Sequence, residues 1–258
     1  MNILDKIIEH KKQEVVDRKT KTGIDVLKNT DLFKRKTLSL KQSLLDPKKT
    51  GIIAEFKKRS PSKGIINATA DVVKTTAAYT KHGASGLSVL TDEQFFGGLT
   101  DDLLKARVNE IPILRKDFII DEYQIIEARA MGADVILLIA ANLTIGEVKK
   151  LAAFAKQLEL EVLLEIHNEE ELSHICDAVD IVGVNNRNLK TFEVDVNTSI
   201  KLSSLIPADK IKISESGISD AAVINLLKQH GFKGFLVGET FMKETDPAIA
   251  FARFVQQL

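Results

Sequence analysis

The 258-residue sequence has one cysteine and no tryptophan, and its charges cancel, because 36 lysine and arginine residues balance 36 aspartate and glutamate residues. The single cysteine, Cys176, cannot form an internal disulfide, which favours a protein from a reducing compartment. The zero net charge argues against general binding to nucleic acid or to acidic membranes, since such proteins carry a basic excess. We therefore expect neither partner, although a local anion pocket stays compatible with this composition.

Long apolar runs are also missing. The longest strongly apolar run, residues 135–141, is far shorter than the ~20 residues of a membrane-spanning helix. At the N-terminus, Asp5, Glu9 and several lysines interrupt any stretch that could act as a secretory signal. The five histidines lack the paired spacing of metal ligands, and residues 60–64 lack the Walker pattern of a nucleotide P-loop. The sequence therefore predicts a soluble cytoplasmic protein without a metal site.

From about residue 51, short apolar β-branched runs alternate with longer amphipathic stretches. Apolar residues at consecutive positions are typical of parallel strands buried on both faces. The interval between runs, roughly 20 to 35 residues, suits a βα unit. Eight units favour a (β/α)8 TIM barrel, although periodicity alone leaves an open doubly wound sheet as an alternative. The predicted strands are 51–57, 86–90, 112–114, 134–139, 161–166, 180–184, 211–214 and 234–237.

The stretches between these strands carry signals of helix starts and ends. Three starts have the spacing of a capping box or a related cap: Thr144 with Glu147, Asn168 with Glu171, and Asp121 with Gln124. Three glycines follow helical stretches, where a left-handed conformation turns the chain back towards the sheet: Gly83, Gly132 and Gly231.

Residues 1–50 do not share this rhythm and predict an N-terminal helical extension. Apolar positions suggest one amphipathic helix from Ile3 to Val15 and a second over residues 38–45. The favoured interpretation is that both pack on the barrel; the alternative is that they cover an open end and shape the pocket. No linker divides the chain, so we expect one domain over residues 1–258, with no fused second catalytic domain. The neutral charge favours a monomer.

In such a barrel the chemistry lies at the C-terminal ends of the strands. Glu55 and Lys57 alternate with Ile53 and should share its inward face. As a buried ion pair alone, they fit a structural and a functional role equally well. Lys116 follows the third strand; beside Lys57 in a partly dry pocket, like charge and desolvation would lower its pKa and make it a better acid.

Polar residues recur at the ends of later strands. Glu165 ends the fifth strand, Asn185 and Arg187 end the sixth, and Glu215 ends the seventh. Each signal is weak alone, and Glu165 could instead serve only to hold a lysine. Their recurrence at the ends of different strands is what favours a functional site.

The loops after strands seven and eight suggest a phosphate site. Ser216 and Gly217 precede one predicted helix, and Gly238 and Glu239 follow the last strand. In these barrels the two loops commonly bind phosphate through backbone N–H groups. The alternative is that the glycines only permit tight turns.

Seven segments, in this order, resemble the motifs of the indole-3-glycerol-phosphate synthases: 53–58 with 60–64, 87–93 with 96–98, 114–118, 163–167, 183–189, 214–218 and 235–239. The resemblance extends from about residue 1 to the C-terminus. It implies that 1-(2-carboxyphenylamino)-1-deoxyribulose 5-phosphate is converted to indole-3-glycerol phosphate in tryptophan biosynthesis. Carbon dioxide and water are lost, and the family needs no metal or organic cofactor.

The same resemblance implies residue roles. Lys116 would protonate the ribulose C2 oxygen, and Glu165 would act as acid and base in the dehydration. Lys57 would hold anionic groups, and its share of the proton transfer relative to Lys116 is left open. The positioning residues would be Glu55, Asn185 and Glu215. Contacts to the anthranilate carboxylate would come from Ser60 and Arg187, the apolar wall from Phe96, Phe118 and Leu137, and the phosphate contacts from Ser216, Gly217, Gly238 and Glu239.

Glu239 departs from the pattern, because some members of the family have serine there. A carboxylate beside a phosphate dianion is repulsive unless the side chain turns away and only its backbone N–H binds. Two other interpretations remain at this point. One is another phosphosugar barrel, such as phosphoribosylanthranilate isomerase or a histidine-pathway isomerase; the other is a non-catalytic barrel that binds a phosphorylated ligand.

Overall fold

The computed structural model describes residues 3–258. Its centre is a closed barrel of eight parallel strands, in which each strand pairs with the next along the chain and the last pairs with the first. The predicted TIM barrel is therefore confirmed, and the open doubly wound sheet was the wrong alternative. The strands are β1 (Ile52–Phe56), β2 (Gly86–Leu90), β3 (Ile113–Lys116), β4 (Val135–Ile139), β5 (Glu161–Ile166), β6 (Ile181–Asn185), β7 (Ile211–Glu215) and β8 (Gly234–Val237).

Helices cover the outside of the barrel and precede its first strand. The extension contains α1 (Ile3–Lys21), α2 (Ile24–Lys28), α3 (Asp31–Lys34) and α4 (Leu40–Leu45). The barrel helices are α5 (Val72–Lys81), α6 (Glu93–Phe96), α7 (Thr100–Ala106), α8 (Glu122–Ala130), α9 (Ile145–Gln157), α10 (Asn197–Leu202), α11 (Ala221–Gln229), α12 (Glu239–Met242) and α13 (Pro247–Val255). Short 3₁₀ helices span Ala140–Asn142 and Glu170–His174, and a small hairpin pairs Arg59–Ser60 with Gly64–Ile65. In the described part of the chain, no helix is long and apolar enough to cross a membrane.

Alternation along the strands divides the apolar side chains into two cores. One lies between the strands and the surrounding helices, and it includes Phe56, Val89 and Leu164. The other fills the barrel interior, with side chains from successive strands in layers; its strand residues are Ile53, Leu114, Val135, Leu137, Ile139, Leu163, Ile181, Ile211, Ile213 and Leu236. At the C-terminal ends of the strands, polar side chains take the place of this interior core.

Three strands run further than the sequence predicted. β3 continues to Lys116, β6 to Asn185 and β7 to Glu215, since these residues still pair with a neighbouring strand. Their polar side chains made them look like loop residues, but these side chains enter the barrel while the backbones stay in the sheet. Arg115, on the opposite face of β3, is fully buried and contacts Glu127 behind the strand.

Most of the predicted helix signals are confirmed. Asp121 and Thr144 form capping boxes, and the three predicted glycines have φ between 82° and 88°. Asn168 accepts a hydrogen bond from the backbone N–H of Glu171, as expected, but the segment is a 3₁₀ helix. The carboxylate of Glu171 bonds the backbone N–H of His167, one residue earlier than in a capping box.

The N-terminal extension has four helices where the sequence predicted two: α1 has 19 residues, and the other three have four to six residues each. Leu40 and Leu44 of α4 join the interior core beside Ile53 and Ile213, so α4 closes the N-terminal end of the barrel. Helix α1 lies at the opposite end, where its Ile7 is buried. The extension therefore contacts both ends of the barrel. The alternative interpretation had predicted that it covers one end.

Leu40→Ala tests this closure. Leu40 is only 1% exposed, so truncation leaves a cavity in the interior core and should lower the free energy of unfolding by about 2–5 kcal/mol. Leu45→Ala, on the same helix at a residue that is 57% exposed, is the matched control and should cost less than about 0.5 kcal/mol. Urea denaturation measures both. Equal effects would contradict a closing role for α4.

Candidate active site

A cavity of about 490 Å³ opens at the C-terminal ends of the strands. Every site residue that the sequence predicted lines it, so the structure brings the whole predicted set together: Glu55, Lys57, Ser60, Phe96, Lys116, Phe118, Leu137, Glu165, Asn185, Arg187, Glu215, Ser216, Gly217, Gly238 and Glu239. These residues lie at or near the ends of the strands or in the segments that follow them. Phe96 comes from the segment after β2, and Leu90, at the end of β2 itself, also lines the cavity. The cavity is therefore the candidate active site.

Lys116 occupies the centre of the site. Its Nζ lies 2.8 Å from Glu165 Oε2 and 2.9 Å from Glu215 Oε2. Burial lowers the pKa of Lys116, but Glu165, Glu215 and the nearby Glu55 outweigh it and hold the pKa above its ordinary value. Lys116 therefore carries a proton at neutral pH.

The sequence-based expectation for the Lys116 pKa was wrong in direction. It assumed that Lys57 would lie beside Lys116 and repel its charge. Instead Lys57 Nζ lies 2.7 Å from Glu55 Oε1, and two carboxylates surround the Lys116 ammonium. Because strand spacing does not reveal which side chains meet across a barrel, this pairing was visible only in the structure.

The two carboxylates that hold Lys116 differ from each other. Burial raises the pKa of Glu165, but Lys116 and His167 outweigh it, so the pKa falls well below its usual range. Burial raises the pKa of Glu215 to about 7, with Glu165 adding to the rise and Lys116 opposing it. Glu215 Oε1 has no hydrogen-bond partner within residues 3–258. The site thus combines an ionised carboxylate with one that takes up a proton near neutral pH.

Backbone spacing leaves room for these carboxylates. A Cβ at Gly183 would lie 2.3 Å from Glu215 Oε1, and a Cβ at Gly238 would lie 2.7 Å from Glu55 Oε1. A side chain at either position would therefore displace a carboxylate of the site. For Gly238 this replaces the tight-turn explanation, since its φ is −128°.

Asn185 links the sixth strand to the central group. Its Nδ2 donates to Glu165 Oε1 at 3.1 Å, and its Oδ1 accepts from the backbone N–H of Arg187. The amide therefore fixes Glu165 from the side opposite Lys116.

Sequence reasoning missed His167, which was set aside with the other histidines. Its Nε2 lies 3.2 Å from Glu165 Oε1 and its Nδ1 lies 3.3 Å from Glu171 Oε2. Burial lowers the pKa of His167, but the two carboxylates outweigh it and raise the pKa to about 10. The available signal was position: His167 follows β5 two residues after Glu165 and precedes a carboxylate at i+4.

The two loops that the sequence predicted to bind phosphate follow β7 and β8 and line one side of the cavity. Ser216 and Gly217 both have positive φ, 66° and 75°, so the chain turns sharply after β7. Thr240 Oγ1 donates to the backbone carbonyl of Ile218 and ties the two loops together.

Glu239 turns its side chain towards two cations. Its Oε1 lies 3.4 Å from Lys63 Nζ, and its Oε2 lies 3.6 Å from Arg187 Nη2. The carboxylate is 37% exposed, so these pairs are screened by water. Lys63 is a further cation of this site that sequence reasoning did not assign, although it lies within a quoted motif.

Apolar residues close the other side of the cavity. Phe96 and Phe118 pack with ring centroids 5.9 Å apart, and Leu137 lies on the barrel wall. Ile3, Leu4 and Ile7 of α1 also line the cavity. The extension therefore contributes directly to the site, which the favoured interpretation of residues 1–50 had not predicted.

Helix α1 is held over the site by a buried lysine. Lys11 is 1% exposed, and its Nζ lies 3.0 Å from Asp92 Oδ2, 2.9 Å from Asp117 Oδ1 and 2.9 Å from Glu14 Oε2. Burial lowers the Lys11 pKa, but the carboxylates outweigh it and raise it above its ordinary value. Asp117, which pairs with Lys11 of α1, directly follows Lys116 in the chain.

Chemically, the site offers a charged lysine, carboxylates in two protonation states and several cations near its rim. Such a set can donate and accept protons and bind an anionic ligand. Within the described residues, no cluster of three or more His, Cys, Asp or Glu side chains could hold a metal ion.

Comparison with known families gives a match over nearly the whole chain. The family model described as Indole-3-glycerol phosphate synthase matches residues 4–254. The enzyme of that name from Bacteroides thetaiotaomicron is 46% identical over 258 residues, covering 100% of this chain and 99% of the relative. The one from Polaromonas sp. is 42% identical, covering 98% and 97%, and the one from Acinetobacter baumannii is 41% identical, covering 99% and 96%.

Solved structures show the same fold in more distant proteins. A tryptophan synthase complex from Pyrococcus furiosus contains a chain with a TM-score of 0.60 and 17% identity, covering 81% of this chain and 98% of that one. A mandelate oxidase mutant has a TM-score of 0.60 and 13% identity, covering 81% and 71%. At such low identity these likenesses concern the fold alone.

The ion pairs of His167 predict a pH-dependent contribution to stability. Since its pKa is raised from 6.5 to about 10 in the folded chain, the contribution should be complete below pH 6.5 and lost as the pH rises to about 10. At each pH, the free energy of unfolding of wild type is compared with that of His167→Gln. The excess of wild type should be larger at pH 6.5 than at pH 10 by at least about 1 kcal/mol. Urea denaturation across this range measures the difference, and a constant difference would contradict the charged state of His167.

Proposed function

The chain belongs to the indole-3-glycerol phosphate synthase family, and we propose that it closes the indole ring by a decarboxylating lyase reaction. The substrate is 1-(2-carboxyphenylamino)-1-deoxyribulose 5-phosphate, and the products are indole-3-glycerol phosphate, carbon dioxide and water. The observation that supports this most strongly is the protonated Lys116 held between Glu165 and Glu215 inside the cavity. Ring closure onto a ketone needs a proton donor in such a place.

The three parts of the substrate have counterparts around the cavity. The phosphate would bind the loops after β7 and β8, at Ser216, Gly217 and the backbone of Gly238 and Glu239. The anthranilate carboxylate would lie near Ser60 and Arg187. The aromatic ring would pack on the apolar wall formed by Phe96, Phe118 and Leu137.

Lys116 would act first. It gives its proton to the ribulose C2 oxygen while the ring carbon that bears the carboxylate attacks C2, so one carbon–carbon bond forms and the carbonyl becomes a hydroxyl. The carboxylate then leaves as carbon dioxide, and the electrons of the broken bond restore the aromatic ring. Lys116 ends this stage as a neutral amine that must regain a proton.

Glu165 would act in the dehydration. The C2 hydroxyl leaves as water after it takes a proton from the acid, and a proton leaves C1 as the double bond of indole forms. Glu165 can serve as acid and base in this stage because Lys116 and Asn185 hold its two oxygens near the reacting carbons. Across the whole reaction two protons enter and one leaves, so each turnover consumes one proton.

The supporting residues would keep these groups in place. Glu55 holds Lys57, which would bind anionic groups of the substrate and share in proton transfer. Glu215 would hold Lys116 and contact a sugar hydroxyl. Arriving substrate anions would compete with Glu239 for Lys63 and Arg187, so phosphate contact at Glu239 is assigned to its backbone.

The other two interpretations have less support. A phosphosugar isomerase would share the phosphate loops but would not need Lys116 paired with Glu165 across the mouth. A non-catalytic barrel would have no use for a buried lysine between two carboxylates, which is costly to keep inside a protein. The family match over residues 4–254 favours the synthase over both.

The purified protein should convert the carboxyphenylamino-deoxyribulose phosphate into a product with indole fluorescence, without added metal or cofactor. Fluorescence and mass spectrometry of the product provide the measurement. Circular dichroism of the same sample serves as the control for folding. Absence of product at high enzyme concentration, from folded protein, would refute the proposal.

Lys116→Ala should keep the fold and lower turnover by about 10²–10⁴-fold, because it removes the first proton donor. The matched control is Lys58→Ala, which breaks an ion pair with Asp102 outside the cavity. It should leave turnover within about twofold of wild type. Near-normal turnover in Lys116→Ala, or an equal loss in the control, would remove Lys116 from the proposed role.

A further inference from the structure

Asn186 is a buried residue next to the candidate active site that has no part in the proposed chemistry. It lies between Asn185 and Arg187 in the chain, and both of these residues line the cavity. Asn186 itself is only 3% exposed, and its side chain lies between β7 and α10, where it contacts Ser214 and Ser199. Burying an amide is costly unless its polar atoms are bonded, so the partners of Asn186 indicate what it does.

Both polar atoms of the Asn186 side chain are fully used. Its Oδ1 accepts from the backbone N–H of Ser199 at 3.1 Å and from Ser199 Oγ at 2.8 Å. Its Nδ2 donates to Ser214 Oγ at 2.9 Å and to the backbone carbonyl of Ser216 at 3.0 Å. The backbone N–H of Asn186 also donates to the carbonyl of Glu215 at 2.9 Å. Asn186 therefore holds two consecutive carbonyls, those of Glu215 and Ser216, where the chain leaves β7.

The turn that Asn186 holds has a strained backbone. Ser216 has a φ of 66°, which is uncommon for a residue with a Cβ, and Gly217 follows with a φ of 75°. A Cβ at Gly217 would lie 2.6 Å from Val194 Cγ1, so the loop after β6 packs closely on this turn. A strained conformation persists only where surrounding contacts determine it. The hydrogen bond from Asn186 to the Ser216 carbonyl is one such contact.

The held carbonyl sets the direction of the next backbone donor. In a trans peptide, as here, the carbonyl of one residue and the N–H of the following residue point in opposite directions. Because the Ser216 carbonyl points to Asn186, the N–H of Gly217 points away from it, and Gly217 lines the cavity. This N–H donates to no other residue in the described range 3–258, so it remains available to an anion.

We propose that Asn186 is a positioning residue for substrate binding: through the Ser216 carbonyl, it keeps the N–H of Gly217 directed at the substrate phosphate. This inference rests on the proposed function, which places the phosphate at the loops after β7 and β8. Asn186 does not line the cavity, so it acts only through the turn. Hydrogen bonds to charged groups are stronger than those between neutral groups, so loss of this direction should weaken phosphate binding about 10-fold.

Inorganic phosphate tests the inference without turnover, because its dissociation constant can be measured directly by phosphorus NMR titration. Asn186→Ala should bind it about 10-fold more weakly than wild type. The matched control is Ser199→Ala, which removes one bond to Asn186 Oδ1 but keeps the bond from Nδ2 to Ser216. Both variants should lower the free energy of unfolding, but Ser199→Ala should bind phosphate within about twofold of wild type.

Turnover gives a second measurement, in which the effect should appear in KM. The phosphate is remote from the reacting carbons, so its contacts contribute equally to the substrate complex and to the transition state. Asn186→Ala should therefore raise KM about 10-fold and leave kcat within about threefold of wild type. A residue that only stabilised the fold would leave KM unchanged in folded protein.

Asn186→Ser is measured beside Asn186→Ala, and circular dichroism checks the folding of every variant. The serine hydroxyl fills part of the space and can bond within the cluster of Ser199 and Ser214. Its side chain ends one bond before the position of Nδ2, so it does not reach the Ser216 carbonyl. Asn186→Ser should show the same loss of phosphate affinity, which keeps the test decisive even where Asn186→Ala does not fold.

Three results would overturn the proposed role of Asn186: wild-type phosphate affinity in a folded Asn186 variant, an equal loss in Ser199→Ala, or a loss confined to kcat. The second would indicate that the buried cluster supports the loop only in a general way. Failure of the proposed function would look different, since wild type would then bind phosphate and form no indole product. The phosphate affinities of the variants would still test Asn186 in that case.

Discussion

The ion triad of Lys116, Glu165 and Glu215 constrains which residues can lie near it at the C-terminal ends of the strands. Burying three ionisable groups costs several kcal/mol per ion unless each is paired closely, and here Lys116 pairs with both carboxylates within 2.9 Å. The neighbours follow from this need: Gly183 leaves room for Glu215, and Asn185 completes the contacts of Glu165. The same triad supplies the proton donor and the base that the proposed reaction requires.

The rest of the barrel surrounds this triad with apolar residues, below it in the interior and beside it at the open end. Apolar layers from the strands fill the interior below it, and Leu40 and Leu44 of α4 complete them at the N-terminal end. At the mouth, Lys11 holds α1 against Asp92 and Asp117, so that apolar residues of α1 border the cavity. Because low polarity strengthens charge interactions, the apolar residues at both ends contribute to the acid–base chemistry as well as to stability.

Much of the site could be predicted because parallel strands of a closed barrel all end at one rim. Any polar residue at the end of an apolar strand, such as Glu165 or Glu215, must then lie near the others. His167 was missed because it leaves the strand and meets Glu165 only through the turn into the 3₁₀ helix. The Lys116 pKa was wrongly predicted because a like-charged neighbour was assumed in place of two carboxylates.

By itself, the sequence determined the order of eight βα units, the inward face of the first strand and the set of polar residues at one rim. These follow from the period of two along a strand and from the signals at helix ends, both of which are local. Only the tertiary structure decided which partners meet: Lys116 with Glu165 and Glu215, Lys57 with Glu55, and Lys11 with Asp92 and Asp117. The physical reason is that pairing across a closed barrel depends on strand stagger and on side-chain reach, neither of which is encoded at short range along the chain.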